Sequence, residues 1–311
     1  MVTLGETLAL LSAEQIGPLH RNRHLALGMG GAESNVAIGL ARLGVPVTWV
    51  GRVGRDAFGE LIARELRAEG VDAQVIVDPD APTGLMLKER PTGQHQVVTY
   101  RRAGSAGSRL TSGDITEATI RGAGILHVTG ITAALSDTAR QAVDDAVRTA
   151  RGAGVPVSVD LHHRSALWSG AVAAQWYSAV LPFADIVFAG LREAAIATGI
   201  DGPPERCARV LQEMGARTAV VTLGPLGALA RQGETVHRAP ARAVTAVDTV
   251  GAGDAFVAGY LAEAWAGAGV ERCLATGNAA GAFACTVPGD WEGAPGRAQL
   301  ALLTAEDPVI R

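Results

Sequence analysis

The amino-acid sequence predicts an α/β fold, in which a mostly parallel central sheet lies between two layers of helices and a smaller β-sheet is added. From residue 124 onward, short apolar segments alternate with longer amphipathic ones, as expected for parallel strands joined by right-handed crossover helices. The composition is rich in small and aliphatic residues and only 4% aromatic, which suits a sheet buried on both faces. No repeat, linker or low-complexity segment divides the 311 residues, so we predict one domain spanning residues 1–311.

The charge and the cysteine content exclude several classes of protein. The net charge is −4, so there is no basic field to attract nucleic acid or anionic lipid. Cys207, Cys273 and Cys285 have no metal-ligand spacing and indicate reduced thiols rather than a disulfide framework. No apolar segment reaches membrane-spanning length, and the first residues do not resemble a signal peptide. We therefore expect a soluble, cytoplasmic protein whose partners are small molecules.

The first hundred residues combine strands, a glycine-rich turn and a hairpin. The predicted elements are, in order, a buried strand at 2–11 interrupted by Gly5-Glu6, a polar irregular segment at 12–27, a helix opened by residues 28–37 and continuing through Leu43, a strand at 47–50, a helix at 56–70 and a hairpin at 83–102. The hairpin carries polar side chains on both faces, which is typical of a flap rather than of a core sheet.

The rest of the chain alternates between strands and helices. The predicted strands lie near 125–130, 155–160, 185–189, 218–222, 228–231 and 234–239, and the predicted helices near 137–152, 171–181, 192–198, 203–215, 270–286 and 297–303, with a further apolar helix after Asp254.

The stretch Asp248-Thr249-Val250-Gly251-Ala252-Gly253-Asp254, here called the 248–254 turn, leads directly into that apolar helix. The first N–H groups of a helix have no intrahelical acceptor, so they favour an anion such as phosphate. Asp254 adds a carboxylate that can accept the proton of an attacking hydroxyl in phosphoryl transfer. Taken alone, it is more simply explained as a carboxylate at the first helical turn. Phe256 and the distant single lysine, Lys88, exclude a dinucleotide fingerprint and a Walker loop.

Other candidate ligand-binding residues lie at strand ends or at a glycine-rich helix start. Gly30 and Gly31 allow the backbone to approach a ligand, and Asn35 offers donors and acceptors to hydroxyl groups. Arg164 lies in a loop after a strand, where open α/β sheets bind ligands. The stretch Thr222-Leu223-Gly224-Pro225-Leu226-Gly227 also follows a strand and suits a nucleotide. A helix start, a surface loop and a plain turn explain the same features without a ligand.

Taken together, these stretches resemble the signatures of the PfkB family of ribokinase-like sugar kinases. The 248–254 turn matches the family pattern Asp-Thr-x-Gly-Ala-Gly-Asp at every fixed position, and residues 30–35 match Gly-Gly-x-x-x-Asn. Residues 51–59 match Gly-x-x-Gly-x-Asp-x-x-Gly. The resemblance covers essentially the whole chain and implies a ribokinase-like three-layer αβα fold, with a lid formed by segments 12–27 and 83–102.

The resemblance implies an ATP-dependent kinase that uses Mg²⁺, and it leaves a requirement for a monovalent cation open. Asp254 is then the catalytic base, and Gly251, Ala252 and Gly253 form the anion hole. The residues implied for the sugar are Gly30, Gly31, Asn35, Tyr100, Arg102, Arg164 and Asp254. The residues implied for the nucleotide are Thr222, Gly224, Gly227, Gly251, Gly253 and Asn278. Glu193 is implied as a ligand of Mg²⁺ through water.

Within the family, three details are most similar to the 2-keto-3-deoxygluconate kinases. They are Tyr100-x-Arg102, Asp160-x-x-x-Arg164-x-x-Leu167-Trp168 and Gly289-Asp290-Trp291-Glu292. They imply phosphorylation of the terminal hydroxyl of a sugar acid, with Arg102 and Arg164 as a clamp for its carboxylate. The alternatives are a fructokinase, a 5-keto-2-deoxygluconate kinase, a nucleoside kinase, and a sugar-acid-binding regulator without catalytic activity.

Two positions depart from the family pattern. His162 stands where many relatives have asparagine, and Gly190 replaces the asparagine of the Asn-x-x-Glu motif that ends at Glu193.

The lid also has a consequence for assembly. Open strand edges in the lid would be covered by pairing two subunits, so we expect a homo-oligomer and favour a dimer through the lid.

Overall fold

The computed structural model describes residues 1–93 and 95–304. The strands are β1 (Val2–Leu4), β2 (Leu8–Ala13), β3 (Leu25–Gly30), β4 (Thr48–Gly54), β5 (Asp72–Asp78), β6 (Leu85–Thr92), β7 (His95–Arg101), β8 (Leu126–Thr129), β9 (Val157–Asp160), β10 (Ile186–Gly190), β11 (Thr218–Thr222), β12 (Ala228–Gln232) and β13 (Thr235–Ala239). The α-helices are α1 (Ala32–Arg42), α2 (Ala57–Ala68), α3 (Glu117–Arg121), α4 (Gly130–Leu135), α5 (Asp137–Gly152), α6 (Gly170–Val180), α7 (Leu191–Thr198), α8 (Pro204–Glu213), α9 (Ala252–Trp265), α10 (Val270–Ala284) and α11 (Arg297–Leu300).

The large sheet is mostly parallel and has helices on both faces. Its order is β13-β12-β11-β10-β9-β8-β1-β4-β5, with β12 and β13 as an antiparallel edge. Because strand side chains alternate in direction, Val187 packs in the core beneath α5, α6 and α8, whereas Phe188 packs in the core beneath α1, α9 and α10. The predicted α/β class with a second small sheet is confirmed. Among the helices of residues 1–93 and 95–304, none is both long and apolar enough to cross a membrane.

The strand order reverses at β1. The chain passes from β1 to β4 and β5 on one side of the sheet, and later from β8 to β13 on the other. The loops that leave β1 and β8 therefore diverge, and such a switch point at the carboxyl ends of the strands leaves a crevice in which ligands bind.

The small sheet lies beside this crevice and has the order β3-β2-β6-β7. β2 and β6 run parallel, and β6 and β7 form the predicted hairpin. Pro91 lies near a register shift between Glu89 and Thr92, where its missing N–H is tolerated.

Two predictions for the N-terminal segment were wrong. The single strand expected at 2–11 is two strands in different sheets, because Glu6 accepts hydrogen bonds from Arg102 and Ser105 where the chain turns between β1 and β2. The segment expected to be irregular, residues 12–27, includes the end of β2 and the first half of β3. The first residues of β3 are exposed, and β3 pairs with β2 through its backbone. Exposed strands held in this way lack the alternation that reveals a half-buried strand.

The later elements agree closely with prediction, and α5 has both of its predicted bounds. Three elements were missed: β5, α3 and α4. The two helices are only 5 and 6 residues long, which is too short for a helical period to be recognised.

Candidate active site

A polar cavity lies at the switch point, between the start of α1, the start of α9, the small sheet and the loop after β9. All the residues predicted to bind the sugar line this cavity, together with one of the anion-hole residues: Gly30, Gly31, Asn35, Tyr100, Arg102, Arg164, Asp254 and Gly251. Ala252 and Gly253 form the first turn of α9 beside it. The fold therefore brings residues that are up to 224 positions apart in the chain to one wall.

The start of α9 has the geometry of an anion site. Gly251 precedes the helix in a left-handed conformation, with φ of 75°. An added Cβ would lie 1.7 Å from the carbonyl oxygen of Asp290, so only glycine fits. The N–H of Ala255 donates to the carbonyl of Gly251 at 2.9 Å. Helix geometry leaves the N–H groups of Gly253 and Asp254 without an intrahelical acceptor, and both are available to a phosphate.

Asp254 is a buried carboxylate with high proton affinity. The residue is 7% exposed within the chain, and its Oδ2 accepts a hydrogen bond from Nδ2 of Asn35 at 2.8 Å. Burial raises its pKa to about 8, and the charges of Asp290 and Glu33 act in the same direction, whereas Asn35 and Arg164 lower it. A carboxylate with this pKa can take a proton from a hydroxyl group near neutral pH.

Asp290 was not predicted as a site residue, although it forms part of the cavity wall. Its Oδ1 accepts a second hydrogen bond from Nδ2 of Asn35 at 3.3 Å. A Cβ added to Gly30 would lie only 1.7 Å from Oδ2 of Asp290, which accounts for the glycine at position 30. Burial raises the pKa of Asp290 to about 6. The sequence marked Asp290 only through the resemblance of residues 289–292, since no spacing rule connects it to Asn35.

Arg102 reaches the cavity with Tyr100, and it is already paired. Its Nη2 and Nε lie 2.5 and 2.7 Å from Oε2 of Glu6, whose other oxygen accepts from Ser105. The guanidinium also lies 5.5 Å from the centre of the Tyr100 ring, a cation–π geometry. Glu6 thus lines the cavity as well.

Arg164 and His162 enter the cavity from the loop after β9. His162 has φ of 37° and is the non-glycine residue with a positive φ among those described. Its imidazole lies between Arg164 and two carboxylates, those of Asp160 and Asp254. Strained backbone of this kind costs roughly 1–3 kcal/mol and is concentrated at functional sites. Tyr177 supports the loop through a hydrogen bond to the carbonyl of Leu161 at 2.9 Å.

The residues that were predicted to bind the nucleotide and have no other predicted role form a second group, away from this cavity. Thr222 ends β11, and Gly224 lies in the turn that follows. Gly227 packs against the backbone of Ala239, and Nδ2 of Asn278 donates to the carbonyl of the same residue at 2.9 Å. Gly227 and Asn278 therefore hold the end of β13, and their contact with a nucleotide remains a prediction.

Glu193 lies near this second group. Its Oε2 accepts from the N–H of Gly190 at 2.7 Å and its Oε1 from the N–H of His163 at 2.9 Å. The pKa of the neighbouring Asp160 is well above the usual range. Burial is the main cause, and the charges of Glu193 and Asp254 act in the same direction. In residues 1–93 and 95–304, no group of three or more His, Cys, Asp or Glu side chains is arranged to hold a metal ion. Mg²⁺ typically binds through one or two carboxylates, waters and substrate phosphates. The carboxylates of Glu193 and Asp160 therefore fit an Mg²⁺ ion that binds together with the phosphates of a nucleotide.

An anion site at a helix start, a buried carboxylate beside it and a polar cavity at a switch point define a phosphotransferase that acts on a small hydroxyl compound. The family model described as pfkB family carbohydrate kinase matches residues 1–296. The chain therefore belongs to the PfkB family of carbohydrate kinases, which confirms the family and the kinase class predicted from the sequence.

Individual relatives are similar over nearly the whole chain. The 2-dehydro-3-deoxygluconokinase of Bacillus subtilis is 37% identical over 96% of this chain and 94% of that protein. The 2-dehydro-3-deoxygalactonokinase of Haloferax volcanii is 35% identical over 93% and 92%. Fructokinase-1 of Oryza sativa subsp. japonica is 34% identical over 75% and 72%.

Solved structures agree with the fold. A putative ribokinase II from E. coli in complex with ATP and Mg²⁺ has a TM-score of 0.89 and 25% identity, and the match covers 97% of this chain and 98% of that one. The 2-dehydro-3-deoxygluconokinase of Thermotoga maritima has a TM-score of 0.88 and 26% identity, with 97% of each chain covered.

Proposed function

We propose that this kinase transfers the γ-phosphoryl group of ATP to the terminal hydroxyl of a sugar acid of the 2-keto-3-deoxygluconate type. The observation that carries the proposal is a single cavity that contains the buried carboxylate Asp254 and two arginines, Arg102 and Arg164. The names of the Bacillus subtilis and Haloferax volcanii relatives support a 2-dehydro-3-deoxy sugar acid, which is the same class of compound.

The proposed reaction is a direct in-line transfer. Asp254 accepts the proton of the terminal hydroxyl while that oxygen bonds to the γ-phosphorus, and the bond between the γ-phosphorus and the bridging oxygen of the departing ADP breaks. The N–H groups of Gly253 and Asp254 stabilise the charge on the phosphoryl oxygens. Asn35 holds the carboxylate of Asp254 in place through its 2.8 Å hydrogen bond. Positioning and fixed dipoles thus supply the acceleration, without a covalent protein intermediate.

The arginines retain donors for a carboxylate despite their present partners. Arg102 uses Nε and Nη2 toward Glu6, and Arg164 uses Nη1 and Nη2 toward His163 and His162. A guanidinium carries five N–H donors, so Nη1 of Arg102 and Nε of Arg164 stay available. Charge-assisted hydrogen bonds contribute roughly 1.5–3 kcal/mol each, enough to favour an acid over a neutral sugar by one to two powers of ten.

Mg²⁺ accompanies ATP in this proposal and offsets the negative charge of its phosphates. Glu193 would hold the ion through water, because both of its carboxylate oxygens already accept backbone N–H groups. The small sheet acts as a lid over the sugar, and two subunits pair through it. Leu25 and Leu27 on the edge strand β3 are 39% and 54% exposed, which supports such an interface.

Fructose is the second candidate acceptor. Glu6 neutralises much of the charge of Arg102 at 2.5 Å, and a neutral ketose would not need to compete with it. The Oryza sativa relative is a fructokinase, which favours the same alternative.

A substrate panel tests the proposal. We would measure ADP release with ATP and each of 2-keto-3-deoxygluconate, 2-keto-3-deoxygalactonate, 5-keto-2-deoxygluconate, fructose and ribose. We expect kcat/KM to be roughly ten to a hundred times higher for a 2-keto-3-deoxy acid than for fructose. Phosphorus NMR of the product should place the phosphate on the terminal oxygen. A panel in which fructose or ribose is the better substrate would reject the sugar acid.

A further inference from the structure

Lys88 is the only lysine in the sequence, and it is buried at the edge of the cavity. It lies on β6 of the small sheet and is 4% exposed. Its ammonium leaves the sheet and contacts Oδ2 of Asp248 at 2.5 Å and the carbonyl oxygen of Gly289 at 3.2 Å. A buried ammonium needs partners of this kind, because desolvation of an unpaired charge is costly.

Asp248, the first residue of the 248–254 turn, connects three segments through one carboxylate. Its Oδ1 accepts from the N–H of Val250 at 3.1 Å, and its Oδ2 accepts from the N–H of Gly289 at 3.2 Å as well as from Lys88. Val250 immediately precedes Gly251, and Gly289 immediately precedes Asp290. The same carboxylate therefore fixes the anion-hole turn and the segment that packs against it.

Lys88 is a cation beside several carboxylates, those of Asp248, Asp290 and Glu292. Burial alone would raise the pKa of Asp248, but the hydrogen bonds from Lys88, Val250 and Gly289 keep that pKa below its usual value. Burial raises the pKa of the nearby Asp290, the charge of Lys88 opposes that increase, and the charges of Glu292 and Asp248 add to it. In the described part of the chain, no arginine side chain forms an ion pair with Asp248. One ammonium thus balances a group of carboxylates next to the anion hole.

We propose that Lys88 is a positioning residue for phosphoryl transfer, whose ammonium holds Asp248 and, through it, orients the N–H groups at the start of α9. The inference rests on the proposed role of the 248–254 turn as the anion hole. Lys88 acts through Asp248 and does not itself bind the phosphoryl group. Because Lys88 belongs to the small sheet, the anion hole is complete only when that sheet lies where the structure places it.

Removal of the ammonium has a consequence that a merely structural lysine would not have. The carboxylate of Asp248 would stay buried without its counter-charge, facing the carbonyl oxygen of Gly289. Two oxygen ligands around a vacated ammonium position suit a small monovalent cation. Potassium or ammonium ions from solution should therefore replace the missing charge in a variant that leaves room for them.

The test compares Lys88→Met, which keeps most of the length without the charge, with Lys88→Ala, which leaves space. Arg90→Met is the matched control, because it removes a cation from the same strand with no ion pair to Asp248. Each is assayed with ATP and the acceptor that wild type turns over fastest, so an incorrect sugar assignment does not affect the result. Assays are run in potassium, ammonium and choline chloride at equal ionic strength.

We expect kcat of Lys88→Met to fall at least about tenfold, with smaller changes in KM. This is less than the roughly 10²–10³-fold loss on removal of an anion-hole donor, because the donors stay and only their orientation changes. Arg90→Met should stay within about twofold of wild type, as for substitutions outside the site. The ratio of Lys88→Ala to wild-type kcat should rise in potassium or ammonium chloride and not in choline chloride. Retained kcat in Lys88→Met, or a ratio that no cation changes, overturns the proposal.

Thermal unfolding covers the case in which the variants fold poorly. If Lys88→Ala loses its folding transition, restoration by potassium or ammonium but not choline supports the cation position, and failure to restore it shows that Lys88 is structural. Absence of turnover by wild type on every acceptor would reject the proposed function instead, and the unfolding measurement would still test the contact.

Discussion

Arg164 donates a hydrogen bond from Nη2 to Nε2 of His162 over 2.6 Å. Because a guanidinium has no acceptor, Nε2 must accept and the ring proton must reside on Nδ1. That Nδ1 lies 3.5 Å from Oδ2 of Asp160 and 3.9 Å from Oδ1 of Asp254. Burial and the charge of Arg164 lower the pKa of His162 well below its usual value, so the imidazole is neutral. His162 thus lies between the arginine proposed to bind the acid and the proposed base.

Arg164→Met tests whether this arginine binds the carboxylate of the sugar acid. We expect KM for the sugar acid to rise roughly tenfold or more, and KM for fructose to change much less, because only the acid loses a charge-assisted hydrogen bond. Steady-state kinetics on both substrates measure the difference. His162→Asn is the control, because it removes the ring and keeps the guanidinium. Equal losses on acid and neutral sugar in Arg164→Met would mean that this arginine supports the loop instead.

Asp254→Asn should abolish turnover without abolishing binding. An amide keeps the size of the side chain and an oxygen that can accept from Asn35, but it cannot take a proton. We expect kcat to fall by roughly 10²–10⁴, as for other removed general bases. Calorimetric titration should show sugar and ATP binding close to wild type. A variant with wild-type kcat would remove Asp254 from the mechanism.

The pH dependence of kcat/KM should follow the ionisation of Asp254. Only the ionised carboxylate is a base, and its pKa is raised to about 8, so activity should increase with pH and level off above that value. The kcat/KM profile reports the free enzyme. Asp290→Asn removes a charge that raises this pKa and should shift the midpoint down, whereas Asn35→Leu removes a hydrogen bond that lowers it and should shift the midpoint up. A midpoint that neither substitution moves would assign the titration to another group.

Hydrogen exchange should show that the small sheet becomes more ordered when sugar binds. Its apolar cluster consists of Leu8, Leu10 and Met86 with Val98 packed against it, and such a small core gives little protection against local opening. Amides of β6 and β7 should exchange more slowly with sugar acid present. Amides of α5, which packs in the main core, serve as the internal reference. Equal slowing in α5, or none in β6 and β7, argues against a lid.

The oligomeric state can be tested at the edge of the same sheet. Leu27 is 54% exposed on the edge strand β3, so we expect Leu27→Glu to weaken a dimer that pairs through this edge. Light scattering coupled to size exclusion gives the mass of wild type and variant over a range of concentrations. A wild-type monomer at every concentration, or a variant dimer as stable as wild type, would contradict the proposed interface.

Sequence patterns placed some parts of this site well, because local rules govern them. The 248–254 turn and residues 30–35 each combine a helix start with glycines, and the structure brings Asp254 and Asn35 to 2.8 Å. The pairing of Arg102 with Glu6 was not predicted, because the two are 96 positions apart and no periodicity relates them. Lys88 and Asp248 are 160 positions apart, and a single lysine in a strand gives no indication of its partner. Tertiary packing alone determines such pairs.

The two contacts of Asp290 also bear on how the protein is made. Its side chain fills the space beside Gly30 and its carbonyl packs against Gly251, although it lies 255 positions after Asn35. During synthesis, most of the sheet and its helices can form while this residue is still within the ribosome. The sugar cavity therefore acquires this wall only after all the strands of the described residues have been made, and a sugar should stabilise a chain that contains residue 290 but not one that stops before it.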